Sequence, residues 1–118
     1  MAETLTHFGH SFQKKIIVLL LFSRRFLQTI NDILEPDYFD SDADKWLVNC
    51  IKKYYMKYKA EPTLEAIKIQ VDELSSEVLK KSAVDNLREA FQLREATDLN
   101  FVEEKAIEFC KNQTLKTA

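Results

Sequence analysis

This chain of 118 residues is poor in turn-forming residues and in metal ligands. It contains one glycine, two prolines, two cysteines and two histidines, and no histidine follows residue 10. Tight β-hairpins depend on glycine-containing turns, so this composition argues against a hairpin-built sheet and favours helices. The GxxxxGK[ST] phosphate loop is absent, and so are the Glu-x-x-His pairs that di-metal helical bundles use. We therefore expect no enzyme active site, no cofactor site and no metal site in these residues.

Long apolar runs are also missing. The longest, Ile16 to Phe22, has seven residues, whereas a membrane-spanning helix needs roughly twenty. We interpret this run as a buried helix and expect no membrane partner. Cys50 and Cys110 have no CxxC spacing, which predicts two reduced, buried thiols. Residues 1–10 are polar and lack the pattern of a signal peptide, so we interpret them as a flexible tail of an intracellular protein.

The charge balance restricts the choice of partner. With 17 basic and 19 acidic residues the formal net charge is -2, which is unlike a domain whose main task is to bind a phosphate backbone. The acidic stretch from Glu35 to Asp44 lacks the glycine and the distal glutamate of a calcium-binding loop. Carboxylates in this position instead suit the start of a helix, where they satisfy free amide groups and interact favourably with the helix dipole.

Apolar residues recur at helical spacing along the chain and predict an all-α fold, a compact bundle in residues 11–118. The first helix is apolar on more than one face, as expected of a central helix surrounded by others. The predicted helices cover residues 11–22, 24–34, 42–59, 63–74, 77–93 and 99–113. The pattern also predicts a set of core anchors: Tyr38, Phe39, Leu47, Ile51, Tyr54, Leu64, Ile67 and Val71.

The third predicted helix carries the one pattern that suggests a nucleic-acid interface. Lys52, Lys53 and Lys57 are interleaved with tyrosines, and single-stranded nucleic acid favours this combination of charge and stacking surface. However, Tyr54 and Tyr58 share the apolar stripe of this helix and are expected in the core. Core packing with a solvated basic face is therefore the favoured interpretation, and strand binding is the alternative.

The order of turns and helices in the middle of the chain resembles a known family. The sequence Asp37-Tyr38-Phe39 is followed by a long helix that ends in Tyr54-Tyr55 and Tyr58, and then by Pro62-Thr63-Leu64 and an amphipathic helix. Residues 12–113 are in this respect similar to the N-terminal, or collar, domain of DnaB-type replicative DNA helicases of the tailed-phage branch. By this resemblance Phe39 would plug the helical core.

The resemblance implies a non-catalytic assembly domain that self-associates into dimers or a hexameric ring and offers a docking surface for primase or a helicase loader. ATP, magnesium and DNA would bind to a motor domain that is absent from this chain, in the bacterial cytoplasm. The last helix would be the first arm of a helical hairpin, with a candidate oligomer interface at Val102, Ala106, Ile107, Phe109 and Cys110. The alternative function is a free-standing helical phage adaptor protein that binds or loads a replicative helicase.

Overall fold

A computed structural model describes residues 4–117 of the chain, with side chains up to Leu115. This part is all-helical and has no strand, so the predicted compact helical bundle is confirmed. Two short 3-10 helices cover Thr6–Phe8 and Pro36–Tyr38. The six α-helices are α1 (His10–Phe22), α2 (Arg24–Ile30), α3 (Asp42–Tyr58), α4 (Leu64–Asp72), α5 (Glu77–Gln92) and α6 (Leu99–Thr117).

Helix α1 lies at the centre of the bundle. It packs against α2, α3, α5 and α6, and its residues from Ile16 to Leu21 are all buried. Such a helix must be apolar around most of its circumference, since every face meets another helix. The sequence of the first helix predicts this central position.

A buried ion pair links three of the helices. The ammonium group of Lys14 on α1 donates to the carboxylate of Asp44 on α3 at 2.7 Å, and the two side chains are only 4% and 1% exposed. The side-chain amide of Asn86 on α5 donates to the other carboxylate oxygen at 3.0 Å. Buried charges are tolerated when they are paired and hydrogen-bonded in this way. The pair therefore fixes α1, α3 and α5 relative to one another.

Helix starts follow the expected capping chemistry. The hydroxyl groups of Ser41, Thr63 and Ser76 accept hydrogen bonds from the third amide of α3, α4 and α5 respectively. Each bond satisfies a donor that has no partner within its own helix.

Helix ends were harder to predict. Helix α2 was expected to cover residues 24–34 but ends at Ile30. There the chain tightens into a turn in which the amides of Ile33 and Leu34 both donate to the Ile30 carbonyl. Helix α4 was expected to end at residue 74 but ends at Asp72. Helix α6 was expected to end at residue 113 but continues to Thr117. Such boundaries depend on local hydrogen bonding that periodicity alone does not predict.

The flexible tail expected for residues 1–10 is not what the structure shows for residues 4–10; residues 1–3 lie outside the described part. Leu5 is fully buried, and its amide donates to the carbonyl of Tyr38 at 2.8 Å. The side chains of Thr6 and Gln13 both donate to the carboxylate of Asp40, and these bonds lower its pKa. The apolar side chains of Leu5 and Phe8 and this polar network therefore hold the segment against the rest of the bundle.

The only glycine of the chain allows this segment to turn into α1. Gly9 has a φ of 92°, a left-handed conformation that residues with a Cβ rarely adopt. Its amide donates to the carbonyl of Thr6. The glycine therefore marks the junction between the packed N-terminal segment and α1.

Removing the carboxylate of Asp44 should destabilise the fold strongly. We expect Asp44→Ala to lower the free energy of unfolding by about 3–5 kcal/mol, because the Lys14 ammonium would stay buried without its partner. Urea unfolding followed by circular dichroism measures this change.

Two variants make that measurement decisive. Asp42→Ala removes an exposed carboxylate from the same first turn and should cost no more than about 1 kcal/mol. The double variant Lys14→Met, Asp44→Leu removes both charges and should recover most of the loss, since apolar replacement of a whole buried pair is often neutral. A loss in Asp44→Ala no larger than that in Asp42→Ala would contradict the role given to the pair.

Candidate functional site

Two surface depressions flank α4, one on each side. The first lies between α3 and α4 and has a volume of about 230 Å³; we call it the α3–α4 cleft. The second lies between α4 and α5 and has a volume of about 470 Å³; we call it the α4–α5 groove. They differ in chemistry, since the cleft is aromatic and basic whereas the groove is apolar with a charged rim.

The turn after α3 creates the cleft. Lys59 ends the helix in the left-handed conformation with a φ of 57°, and the chain then reverses through Pro62 to the cap at Thr63. The guanidinium group of Arg24 binds the carboxylate of Glu61 at 3.0 Å, and this hydrogen bond lowers the pKa of Glu61. The ion pair links the turn to α2, and the chain reverses so that α4 lies alongside the second half of α3.

The α3–α4 cleft is lined on its α3 side by Trp46, Cys50, Lys53, Tyr54, Lys57 and Tyr58, and on its α4 side by residues that include Pro62, Ala66 and Gln70. The rings of Tyr54 and Tyr58 pack together with centroids 4.6 Å apart. No acidic residue lines this depression. It therefore combines aromatic surface with two positive charges.

The tyrosines of the cleft are more exposed than the sequence predicts. Tyr54 was expected as a core anchor and is only half-buried, and Tyr58, expected on the same core stripe, is 56% exposed. The last turns of α3 extend past the packed core, so their stripe faces the cleft. Of the three lysines proposed as a nucleic-acid face, Lys53 and Lys57 line the cleft, whereas the ammonium group of Lys52 donates to the carbonyl of Leu34.

The α4–α5 groove exposes apolar side chains of both helices. Its floor and walls are formed by Leu64, Val71, Val84, Leu87 and Phe91, and its rim by Lys68, Asp72 and Arg88. Leu64, expected as a core anchor, is 39% exposed here, because it begins α4 at the mouth of the groove and no further helix covers it. The other six anchors, Tyr38, Phe39, Leu47, Ile51, Ile67 and Val71, lie in the buried core.

The residues expected at an oligomer interface on α6 are mostly inside the single chain. Val102, Ala106, Phe109 and Cys110 are at most 6% exposed, since this face of α6 packs on α1 and α2. The ring of Phe109 meets that of Tyr38 at 5.2 Å. These four residues cannot contact another chain unless the bundle opens, so the prediction that they form an oligomer interface is wrong for the folded domain. Only Ile107 is partly accessible.

On the opposite face of α6 the sequence analysis named only Ile107. Ile107 and Leu115 are separated by Lys111 on a shallow surface that also includes Glu104 and Glu108; we call these five residues the α6 ridge. Leu115 is 75% exposed. The signal was present in the sequence as apolar residues eight positions apart, but the stronger apolar stripe on the other face masked it.

Three further findings concern ligands and relatives. Among the residues that the structure describes, no group of three or more histidine, cysteine or acidic side chains is placed to hold a metal ion. The described helices are all too short or too polar to cross a membrane. Comparison with family models, curated proteins and solved structures finds no match to this chain.

The two cysteines should differ in reactivity. Burial raises the pKa of Cys110 to about 12, and burial also raises the pKa of the half-buried Cys50. A shift from 9 to about 12 lowers the thiolate fraction at neutral pH by roughly a thousandfold. At pH 7.5 we expect an aromatic disulfide reagent to modify Cys50 first and Cys110 only as the protein unfolds.

Mass spectrometry of labelled peptides distinguishes the two thiols. In concentrated guanidinium chloride both should react at similar rates, which controls for the reagent. Equal labelling rates in the native protein would contradict the burial of α6 described above.

Proposed function

We propose that this chain is the non-catalytic N-terminal assembly domain of a DnaB-type replicative DNA helicase, which forms a ring collar and docks primase or a helicase loader. The all-helical bundle supports this proposal, as does the burial of Tyr38 and Phe39 at the corner on which the family resemblance rests. The observation that carries it is a pair of accessible apolar surfaces, the α4–α5 groove and the α6 ridge, that match in charge and length. A folded domain with two such surfaces is suited to assembly.

The occupant that we propose for the groove is the α6 ridge of a second copy of the chain. The groove carries Lys68 and Arg88 against one carboxylate, Asp72, at its rim, and the ridge carries Glu104 and Glu108 against one lysine, Lys111, so the groove is net basic and the ridge net acidic. Opposite charges of this kind steer two surfaces together and fix their register. An amphipathic helix that lays its apolar residues into such a groove is a recurrent mode of recognition.

The lengths of the two surfaces also agree. Leu115 lies eight positions after Ile107, which corresponds to about 12 Å along a helix. Helix α4 has nine residues, or about 13.5 Å at the same rise per residue. The two apolar residues of the ridge can therefore span the groove along α4.

This contact joins different surfaces on the two chains, so it is head-to-tail. Helix α4 packs against α5, whereas α6 packs on α1 and α2, so each chain can offer its groove to one neighbour and its ridge to another. Contacts of this type generate a ring when the rotation between neighbours closes. A ring is the assembly expected of a helicase collar.

The free-standing adaptor is the second candidate, and one observation favours it. Helix α6 lies on the core along Val102, Ala106 and Phe109, whereas the arm of a helical hairpin would project from the domain. Reading the gene beyond codon 118 separates the two candidates. A GxxxxGK[ST] phosphate loop in the same frame supports the collar, and a stop codon after Ala118 supports the adaptor.

Paired variants test the proposed self-association. Val84→Glu places a negative charge in the groove, and Leu115→Glu places another on the ridge, so the two altered surfaces repel each other and cannot compensate. We expect sedimentation velocity to show concentration-dependent oligomers for the unaltered chain and monomers for each variant alone. A mixture of the two variants should form dimers and nothing larger, because each variant keeps one intact surface.

The control is Ile69→Glu, which alters a side chain of α4 that is 54% exposed and lines neither depression. It should associate like the unaltered chain. Monomers of the unaltered chain at every concentration, or a mixture of variants that stays monomeric, would contradict the head-to-tail contact.

A further inference from the structure

We infer that the α3–α4 cleft binds one nucleotide unit of single-stranded nucleic acid, with a base on its aromatic surface and the adjacent phosphates on Lys53 and Lys57. This inference concerns a surface that the proposed self-association does not use. It stands whether the domain forms rings or acts alone.

The side chains of the cleft supply both interactions that a single strand needs. Trp46, Tyr54 and Tyr58 line it together with two lysines and no carboxylate. Aromatic rings stack on the flat faces of bases, and ammonium groups contact the backbone phosphates. A ligand that is only apolar would leave the lysines unused, and an anion without a flat ring would leave the aromatic surface exposed.

Tyr58 contacts one neighbouring ring but is otherwise accessible for stacking. Its side chain is 56% exposed, and its ring lies beside that of Tyr54 with centroids 4.6 Å apart. The ammonium group of Lys57 lies 5.2 Å from the centre of the Tyr58 ring. A base that stacks on this ring therefore brings its phosphate close to a positive charge.

The electrostatic surroundings favour an anion. Between Asp44 and Glu61 the sequence has five lysines and no acidic residue. The two flanking carboxylates are already paired, Asp44 with Lys14 at 2.7 Å and Glu61 with Arg24 at 3.0 Å. The lysines also offset the negative end of the helix dipole at the end of α3.

The size of the cleft limits the ligand. Its volume of about 230 Å³ is below the roughly 300–1,000 Å³ of sites that enclose a drug-sized molecule. It therefore suits a single flat ring system with the rest of the strand outside. Bases in a duplex are stacked on one another and do not offer their faces, so the cleft selects single strands.

The single tryptophan of the chain gives a direct assay. Trp46 lines the cleft, so titration with a short oligothymidylate should quench its fluorescence. With two lysines that contact phosphates, the logarithm of the association constant should fall with the logarithm of salt concentration with a slope of about -1.4. A duplex of the same length should bind at least tenfold more weakly.

Variants assign the binding to these side chains. Tyr58→Ala should weaken binding roughly tenfold or more through lost stacking, whereas Tyr58→Phe should bind as the unaltered chain does. The double variant Lys53→Gln, Lys57→Gln should bring the salt slope close to zero. Its matched control, Lys80→Gln, Lys81→Gln, removes the same charge from α5 and should keep the slope.

Three results would overturn the inference. The first is no quenching at low salt, and the second is a salt slope that persists in Lys53→Gln, Lys57→Gln. The third is an equal affinity for thymidine monophosphate and for the oligonucleotide, which would identify a site for free nucleotides. None of these results bears on self-association, because Val84 and Leu115 are unchanged in these variants.

Discussion

The buried ion pair between Lys14 and Asp44 is the constraint on which the rest of the structure depends. It joins the central helix α1 to α3, and Asn86 extends the same network to α5. A buried charge must be paired and hydrogen-bonded, whereas apolar side chains can slide past each other at small cost, so this network restricts how the three helices can pack. The cleft is built on α3 and the groove on α5. Both surfaces are therefore built on helices that this polar network joins.

Helix α4 connects the two surfaces. It is nine residues long and buries only Ile67 and Val71, so most of its circumference is available for other molecules. One side faces the aromatic and basic cleft, and the other faces the apolar groove. A helix of this kind contributes little to the core, and an accessible surface lies on each side of it. The two sides differ in the kind of apolar surface, which is aromatic in the cleft and mainly aliphatic in the groove, whereas lysine or arginine side chains line both.

Much of the fold could be predicted from the sequence. The starts of α3, α4 and α5 follow from Ser41, Thr63 and Ser76, because capping is a local interaction between residues three apart. The central place of α1 follows from its apolar surface on more than one face. The burial of Leu5 could not be predicted, since isolated apolar residues in a short polar segment establish no period. Its amide donates to the carbonyl of Tyr38, a contact between residues far apart in the sequence that forms only in the folded chain.

The sequence by itself determined that the chain is helical, where its helices start and which helix is central, because these properties depend on neighbouring residues and on periodicity. Only the tertiary structure decided which face of each helix is free. Tyr54 and Tyr58 have the spacing of core residues but lie beyond the end of the core, and Val102 and Phe109 have the spacing of an interface but are covered by α1 and α2. Periodicity shows that a helix has an apolar face, and the packing of the other helices determines whether anything covers it.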